Sequence, residues 1–224
     1  MPAEALYTTF RIHKQLEVFF QDKGLFYERR KGYWRDKRKP ISKIVSALSL
    51  VQAVVAIMVG RPDAAKGRPR DYINQKDKRY EIFGHDEYDD SKQMSSDVAK
   101  FRPYDFEIYL RCWQIIKRVD QFLNLPELHL DNESRRNLLY YMARAAACTM
   151  TKNAHCPPGE LLKVDLSLLT DDFMRTQCLQ MVKRIYKRNG GNDEAGKNPK
   201  TGEELQRKLV KMYSPTKQSK AAMA

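Results

Sequence analysis

The sequence predicts a mostly α-helical domain with a small β-ribbon near its N-terminus. Three observations predict it. Long stretches place apolar residues at helical spacing between a capping side chain and a glycine. One short segment, residues 25–35, is aromatic at both ends with a glycine inside, which suits two short strands better than a helix. The apolar fraction, 42% of 224 residues, is enough to build a core without covalent staples.

The first helix is expected from Thr8 or Thr9 to Lys23, with a threonine hydroxyl as N-cap and Gly24 as the stop. Phe10, Leu16, Phe19 and Phe20 share one face, with Lys14 and Gln21 opposite. The ribbon follows, and Phe26, Tyr27 and Trp34 must lean on helices because a two-stranded ribbon cannot stand alone. After Pro40, Ser42 caps a second helix that runs to about Val59 and stops at Gly60; from Leu50 onward it is apolar nearly all round, the mark of a buried element. Residues 60–103 read as loop and short turns, with Tyr80, Ile82 and Phe83 packing back. A third helix spans Pro103 to Leu123, a fourth Asp131 to Lys152, and a fifth Thr170 to Arg188. Thr201-Gly202-Glu203-Glu204 is a capping box that opens a last helix to Tyr213. The expected organisation is thus a helical domain over 1–188, with a basic-aromatic ribbon at 25–39. A Gly/Asn/Lys linker, a short helix and a frayed tail complete residues 189–224.

Lys and Arg total 41 against 28 Asp and Glu, a formal net charge of +13. The charge is uneven: residues 1–70 carry +9, whereas 71–100 carry −3. No stretch reaches the ~20 apolar residues of a membrane span; the longest uncharged run, between Lys43 and Arg61, includes Ser46, Ser49 and Gln52. Met1 to Leu6 has no basic segment leading into an apolar one, so no secretory signal is visible and a cytoplasmic location is expected. Cys112, Cys148, Cys156 and Cys178 are irregularly spaced and read as buried thiols.

Residues 26–40 concentrate the chemistry. From Arg29 to Lys39, seven cations (Arg29, Arg30, Lys31, Arg35, Lys37, Arg38, Lys39) stand against one anion, Asp36, and Tyr27, Tyr33 and Trp34 are interleaved with the segment. Cations draw phosphates and release counterions, and aromatic faces stack unpaired bases. Tyr27, Arg29, Arg30, Lys31, Tyr33, Trp34, Arg35, Lys37 and Arg38 are therefore the candidate nucleic-acid contacts; the competing reading is a core ribbon with merely solvated charges. Glu28 followed by Arg30 has the bare shape of the Glu-x-Lys end of metal-dependent nuclease motifs. Arginine replaces the usual lysine, however, and no Pro-Asp strand precedes it, so Glu28 is only a weak catalytic candidate. His155 and Cys156 with Cys148 and Cys178 lack the tight pairs of structural zinc sites, so no metal site is expected. No nucleophile elbow or glycine-rich phosphate loop is present, and no cofactor is implied.

The residues also carry a resemblance. Ile12-His13-Lys14-Gln15-Leu16-Glu17 with Phe19-Phe20, then Gly24 through Gly32, Lys39-Pro40-Ile41, Gln52-Ala53 and Arg61-Pro62-Asp63-Ala64-Ala65 together resemble the AIPR family. These are bacterial abortive infection phage resistance proteins. The likeness is strongest over residues 8–70, and Tyr27-Glu28-Arg29-Arg30-Lys31-Gly32 is its most specific piece. It implies a cytoplasmic anti-phage defence role and no particular reaction. Family members are longer, with an upstream Asn-Gly-x-Gln-Thr type motif that has no counterpart here. The resemblance thus implies a C-terminal portion, with the upstream half of the same defence protein as an expected partner; the cation-aromatic segment makes nucleic acid the other expected partner. The alternatives are a metal-dependent nuclease domain and a structural half of a larger defence effector.

Overall fold

The computed structural model describes residues 3–29, 32–84, 103–188 and 200–213. In order the elements are α1 (Ala3–Asp22), β1 (Phe26–Glu28), α2 (Tyr33–Asp36), β2 (Ile44–Ser46), α3 (Ala47–Ile57), α4 (Pro62–Gly67), α5 (Asp71–Asn74) and α6 (Lys76–Phe83). Then come α7 (Phe106–Leu123), α8 (Asn132–Thr151), α9 (Pro158–Lys163), α10 (Asp171–Phe173), a π-helical segment (Met174–Leu179), α11 (Gln180–Arg188) and α12 (Lys200–Tyr213). The protein is mostly helical, with a small two-stranded sheet near the N-terminus, as the sequence predicts. It divides into two compact units, residues 1–54 with 69–113 and residues 55–68 with 114–224.

In the first unit, α1 ends where expected: Gly24 adopts a left-handed φ of 71° and the Leu25 amide donates to the Phe20 carbonyl at 2.8 Å. The ribbon differs from expectation. β1 pairs in parallel with β2, Phe26 opposite Ile44 and Glu28 opposite Ser46, and the expected second strand at Tyr33–Arg35 is one helical turn. The second strand comes instead from residues whose pattern suggests the start of a helix. Ile44 and Val45 are β-branched and suit a strand. Ser46, rather than Ser42, caps α3, its Oγ accepting from the Ser49 amide at 3.1 Å. The buried apolar run holds from Leu50 to Ile57, broken only by half-buried Gln52. Around β1 the core is aromatic. Phe20 stacks on Tyr27 (5.7 Å, 8°), His13 meets Phe83 edge-on at 5.2 Å, and Phe83 stacks on Tyr109. Tyr109 donates its hydroxyl proton to the Ile82 carbonyl, which ties α7 to α6.

In the second unit α8 is the hub, packed by α4, α9, the π-helical segment, α11 and α12. Asp131 caps it by accepting from the Ser134 amide at 2.6 Å, and Lys152 closes it at a left-handed φ of 51°. Residues Tyr141 to Cys148 are all buried, and Ala143, Ala145, Ala146 and Ala147 keep the surrounding helices close. Thr170 caps the run that begins at α10, accepting from the Phe173 amide. All four cysteines are buried thiols outside disulfides. Burial pushes the Cys148 and Cys178 thiols up to about 12 and Cys156 to about 11, so they behave as small apolar side chains. The segments read as loop at 60–84 contain α4, α5 and α6; residues 85–102, the linker at 189–199 and the tail after Tyr213 lie outside the described residues.

One glycine in this unit is fixed by space. A Cβ on Gly202 would stand 1.9 Å from Asp63 Oδ2 and 3.0 Å from Asp63 Cγ, where α12 meets α4. Asp63 is itself held by the Tyr141 hydroxyl. Gly202→Ala is therefore expected to cost about 1–3 kcal/mol, the usual range for overpacking, read as a lower urea midpoint. In an Asp63→Ala background, where the close carboxylate is gone, the same change should cost less; equal costs in both backgrounds would refute the close approach as the cause.

Candidate nucleic-acid interface

The basic-aromatic segment is built outward from β1. Alternation along the strand sends Tyr27 inward, to 2% exposure, and leaves Phe26 half-buried. The Tyr27 hydroxyl lies 2.6 Å from His13 Nδ1. Burial holds Tyr27 protonated well above its ordinary range, so a neutral hydroxyl and the imidazole share one hydrogen bond whose direction follows the imidazole tautomer. Burial, assisted by the nearby Arg29 charge, lowers His13 to about 4 and keeps the imidazole neutral.

Glu28 is buried, 6% exposed, and its carboxylate receives the amides of Gly32 (Oε1, 3.3 Å) and Trp34 (Oε2, 3.3 Å). A negative side chain thus caps the start of α2, where orphan amides collect. Gly32 reaches this geometry at φ 94°, a left-handed conformation that a side chain would strain. This is why the glycine between the aromatics starts a helical turn instead of a hairpin. The carboxylate with the bare shape of a nuclease ligand has both oxygens engaged by the backbone. Among the described residues, no group of three or more His, Cys, Asp or Glu is placed to hold a metal ion. His155 faces solvent while its neighbour Cys156 is buried, so those two side chains do not converge.

Past α2 the chain folds back on itself. The Arg38 amide donates to the Arg35 carbonyl at 2.8 Å and the Lys39 amide to the Trp34 carbonyl at 3.0 Å, with Arg38 at φ 57°. Trp34 is half-buried and pinned: its indole N–H donates to the Tyr27 carbonyl at 2.6 Å, and its ring packs on Phe26 at 5.3 Å. Tyr33 is 46% exposed and meets the Trp34 ring edge-on at 4.9 Å. The Lys37 ammonium sits 4.3 Å from the Tyr33 ring centre and donates to its hydroxyl at 2.6 Å; Lys39 lies 4.8 Å from the Phe26 ring. Arg35, Lys37, Arg38 and Lys39 are exposed, and none has a carboxylate partner among the described residues.

A family model described as AIPR protein matches residues 2–217. The chain belongs to the AIPR family. The match spans nearly the whole chain and gives it the AIPR role in abortive infection and phage resistance. Comparisons with curated proteins and with solved structures each found no match. No described helix of this AIPR protein is long and apolar enough to cross a membrane.

Within this AIPR chain the structure sorts the residues singled out from sequence. Tyr33, Trp34, Arg35, Lys37 and Arg38 fall on one continuous turn, and Lys39 joins them. Tyr27 is a core residue that cannot meet a ligand. Arg29 is ion-paired with Glu17 at 3.1 Å. Arg30 and Lys31 lie outside the described residues. Sequence reasoning missed Arg144, a buried guanidinium in α8 and 4% exposed. Its signal is a lone arginine inside the run Ala143 to Ala147.

Proposed function

We propose that this AIPR protein takes part in phage defence by gripping nucleic acid with the turn formed by residues 33–39. The observation that carries this reading is the set of four exposed cations, Arg35, Lys37, Arg38 and Lys39, on the same turn as the exposed Tyr33, with Lys37 seated against its ring. The turn is closed by its own amides, so the backbone holds the charges close together. Phosphates are the natural partners of such a group, and cation–phosphate contacts release counterions. Asp36 is the one anion within it. In this reading Arg29, engaged by Glu17, contributes little, and Glu28 shapes the surface without touching the ligand.

Converting Arg35, Lys37, Arg38 and Lys39 together to Gln is expected to weaken binding and flatten its salt dependence. With four cation–phosphate pairs removed, the slope of log K against log salt should fall by about 2.8–3.6. All four side chains are exposed, so the helical circular dichroism should be unchanged. A slope that stays where it was would remove the turn as the binding surface.

A further inference from the structure

Resting on the reading just given, we propose that the ligand of this turn is single-stranded nucleic acid, with an unpaired base stacked on Tyr33. Three features of the turn point this way. First, α2 has four residues and is about 6 Å long at 1.5 Å per residue, too short to lie in a major groove and present a row of side chains to base edges. What the turn offers is charge and a ring face, which can hold phosphates and bases without reading sequence.

Second, that ring is exposed and fixed. Nearly half of Tyr33 is open to solvent, although the Trp34 ring lies 4.9 Å away and Lys37 bonds its hydroxyl. Trp34 is itself anchored to the Tyr27 carbonyl. A duplex keeps its bases stacked inside and has no use for such a face, whereas a single strand presents both a base plane and a phosphate. Third, charge accompanies the ring along the chain. Lys37 lies 4.3 Å from the ring centre, and Arg35, Arg38 and Lys39 are exposed on the same fold-back of the backbone, so cations are at hand for the phosphates beside a stacked base. Every aromatic nearby is accounted for: Tyr27 is enclosed, and Phe26 and Trp34 are packed on each other. The stacking duty therefore falls on Tyr33.

The test uses the full chain with fluorescent oligothymidylate, oligouridylate and a blunt duplex of each kind, at one fixed salt concentration. The single strands should bind more tightly than the duplexes. Tyr33→Ala should weaken single-strand binding about tenfold while leaving duplex binding unchanged, and Tyr33→Phe should retain it. The two single strands compared with each other distinguish DNA from RNA. Duplex affinity equal to or above single-strand affinity, or a single-strand preference that survives Tyr33→Ala, overturns this inference and leaves phosphate gripping standing. Failure of all four probes to bind overturns the nucleic-acid reading beneath it.

Discussion

Arg144→Met is expected to destabilise the protein by about 3 kcal/mol, since it strips the charged donor from the buried Ile57 carbonyl and one donor from the Ala154 carbonyl, which keeps Gln206 Nε2. Arg144 donates through Nη1 to the carbonyl of Ile57, the last residue of α3. Through Nη2 it donates to the Ala154 carbonyl at 2.7 Å and to Gln206 Oε1 at 3.1 Å. One side chain of α8 thereby fastens a helix end, the turn after α8 and α12. Its charge meets no carboxylate among the described residues, so the favourable electrostatics come from the C-terminal carbonyl of α3 and neutral oxygens. Two effects oppose each other. Removing the cation relieves its desolvation, but it leaves the Ile57 carbonyl without this donor, and hydrogen bonds from a charged group are worth about 1.5–3 kcal/mol each. Three such bonds outweigh one desolvated ion. Methionine nearly conserves the volume, so packing changes add little. Arg144→Lys should recover only part of the stability, because an ammonium cannot span three acceptors as a planar fork does. Urea unfolding followed by far-UV circular dichroism reads the change in midpoint. A methionine variant as stable as the parent would show that the bonds and the desolvation cancel.

The second large effect is acid lability of the first unit. His13 is held neutral, its pKa lowered from 6.5 to about 4 chiefly by burial and secondarily by Arg29. The unfolded chain binds a proton at this site near pH 6.5 and the folded chain does not, so stability rises with pH in between. The contribution is full above pH 6.5 and declines progressively as pH falls toward 4, amounting to about 3 kcal/mol. Both tryptophans of the chain, Trp34 and Trp113, belong to this unit, so their fluorescence reports its unfolding. His13→Gln can still hydrogen-bond the Tyr27 hydroxyl, as donor or acceptor, but cannot titrate. The difference in urea midpoint between parent and variant should therefore shrink steadily from pH 7 to pH 4, while the acid response of the carboxylates cancels. A difference that does not vary with pH would mean that His13 is not the group responsible.

Some local signals survived translation from sequence to structure and others did not: Ser42 yields to Ser46 at the start of α3, Thr8 and Thr9 lie inside α1, and Thr201 lies inside α12 instead of capping it. Gly24, Gly60, Asp131 and Thr170 act on residues within one turn, and each marks a helix end as expected. The pairing of β1 with β2 joins segments that never neighbour each other in sequence. Ile44 and Val45 are β-branched and suit a strand, but their spacing also continues the apolar pattern of the helix that follows, and only a pairing partner decides between the two. The same holds for the candidate surface. Tyr27 and Tyr33 look alike in sequence, both tyrosines near cations, but Tyr27 lies in β1 and enters the core whereas Tyr33 opens α2 and meets solvent. The location of the basic-aromatic segment was legible, but the subset of it that meets solvent was not. Arg144 was overlooked because it interrupts an apolar pattern, and the polar contacts that explain it reach back to Ile57 and forward to Gln206.

The parallel pairing has a consequence for recognition. A hairpin would have left the cationic turn at the tip of a free-swinging arm, whereas a crossover is tethered at each of its ends, at Glu28 and at Ile44. Much of the freedom that a flexible basic arm surrenders on meeting its target has already been surrendered on folding. On the proposal that this turn grips nucleic acid, a modest number of contacts then suffices for capture, and slackening either tether weakens it without touching any of the proposed contact side chains.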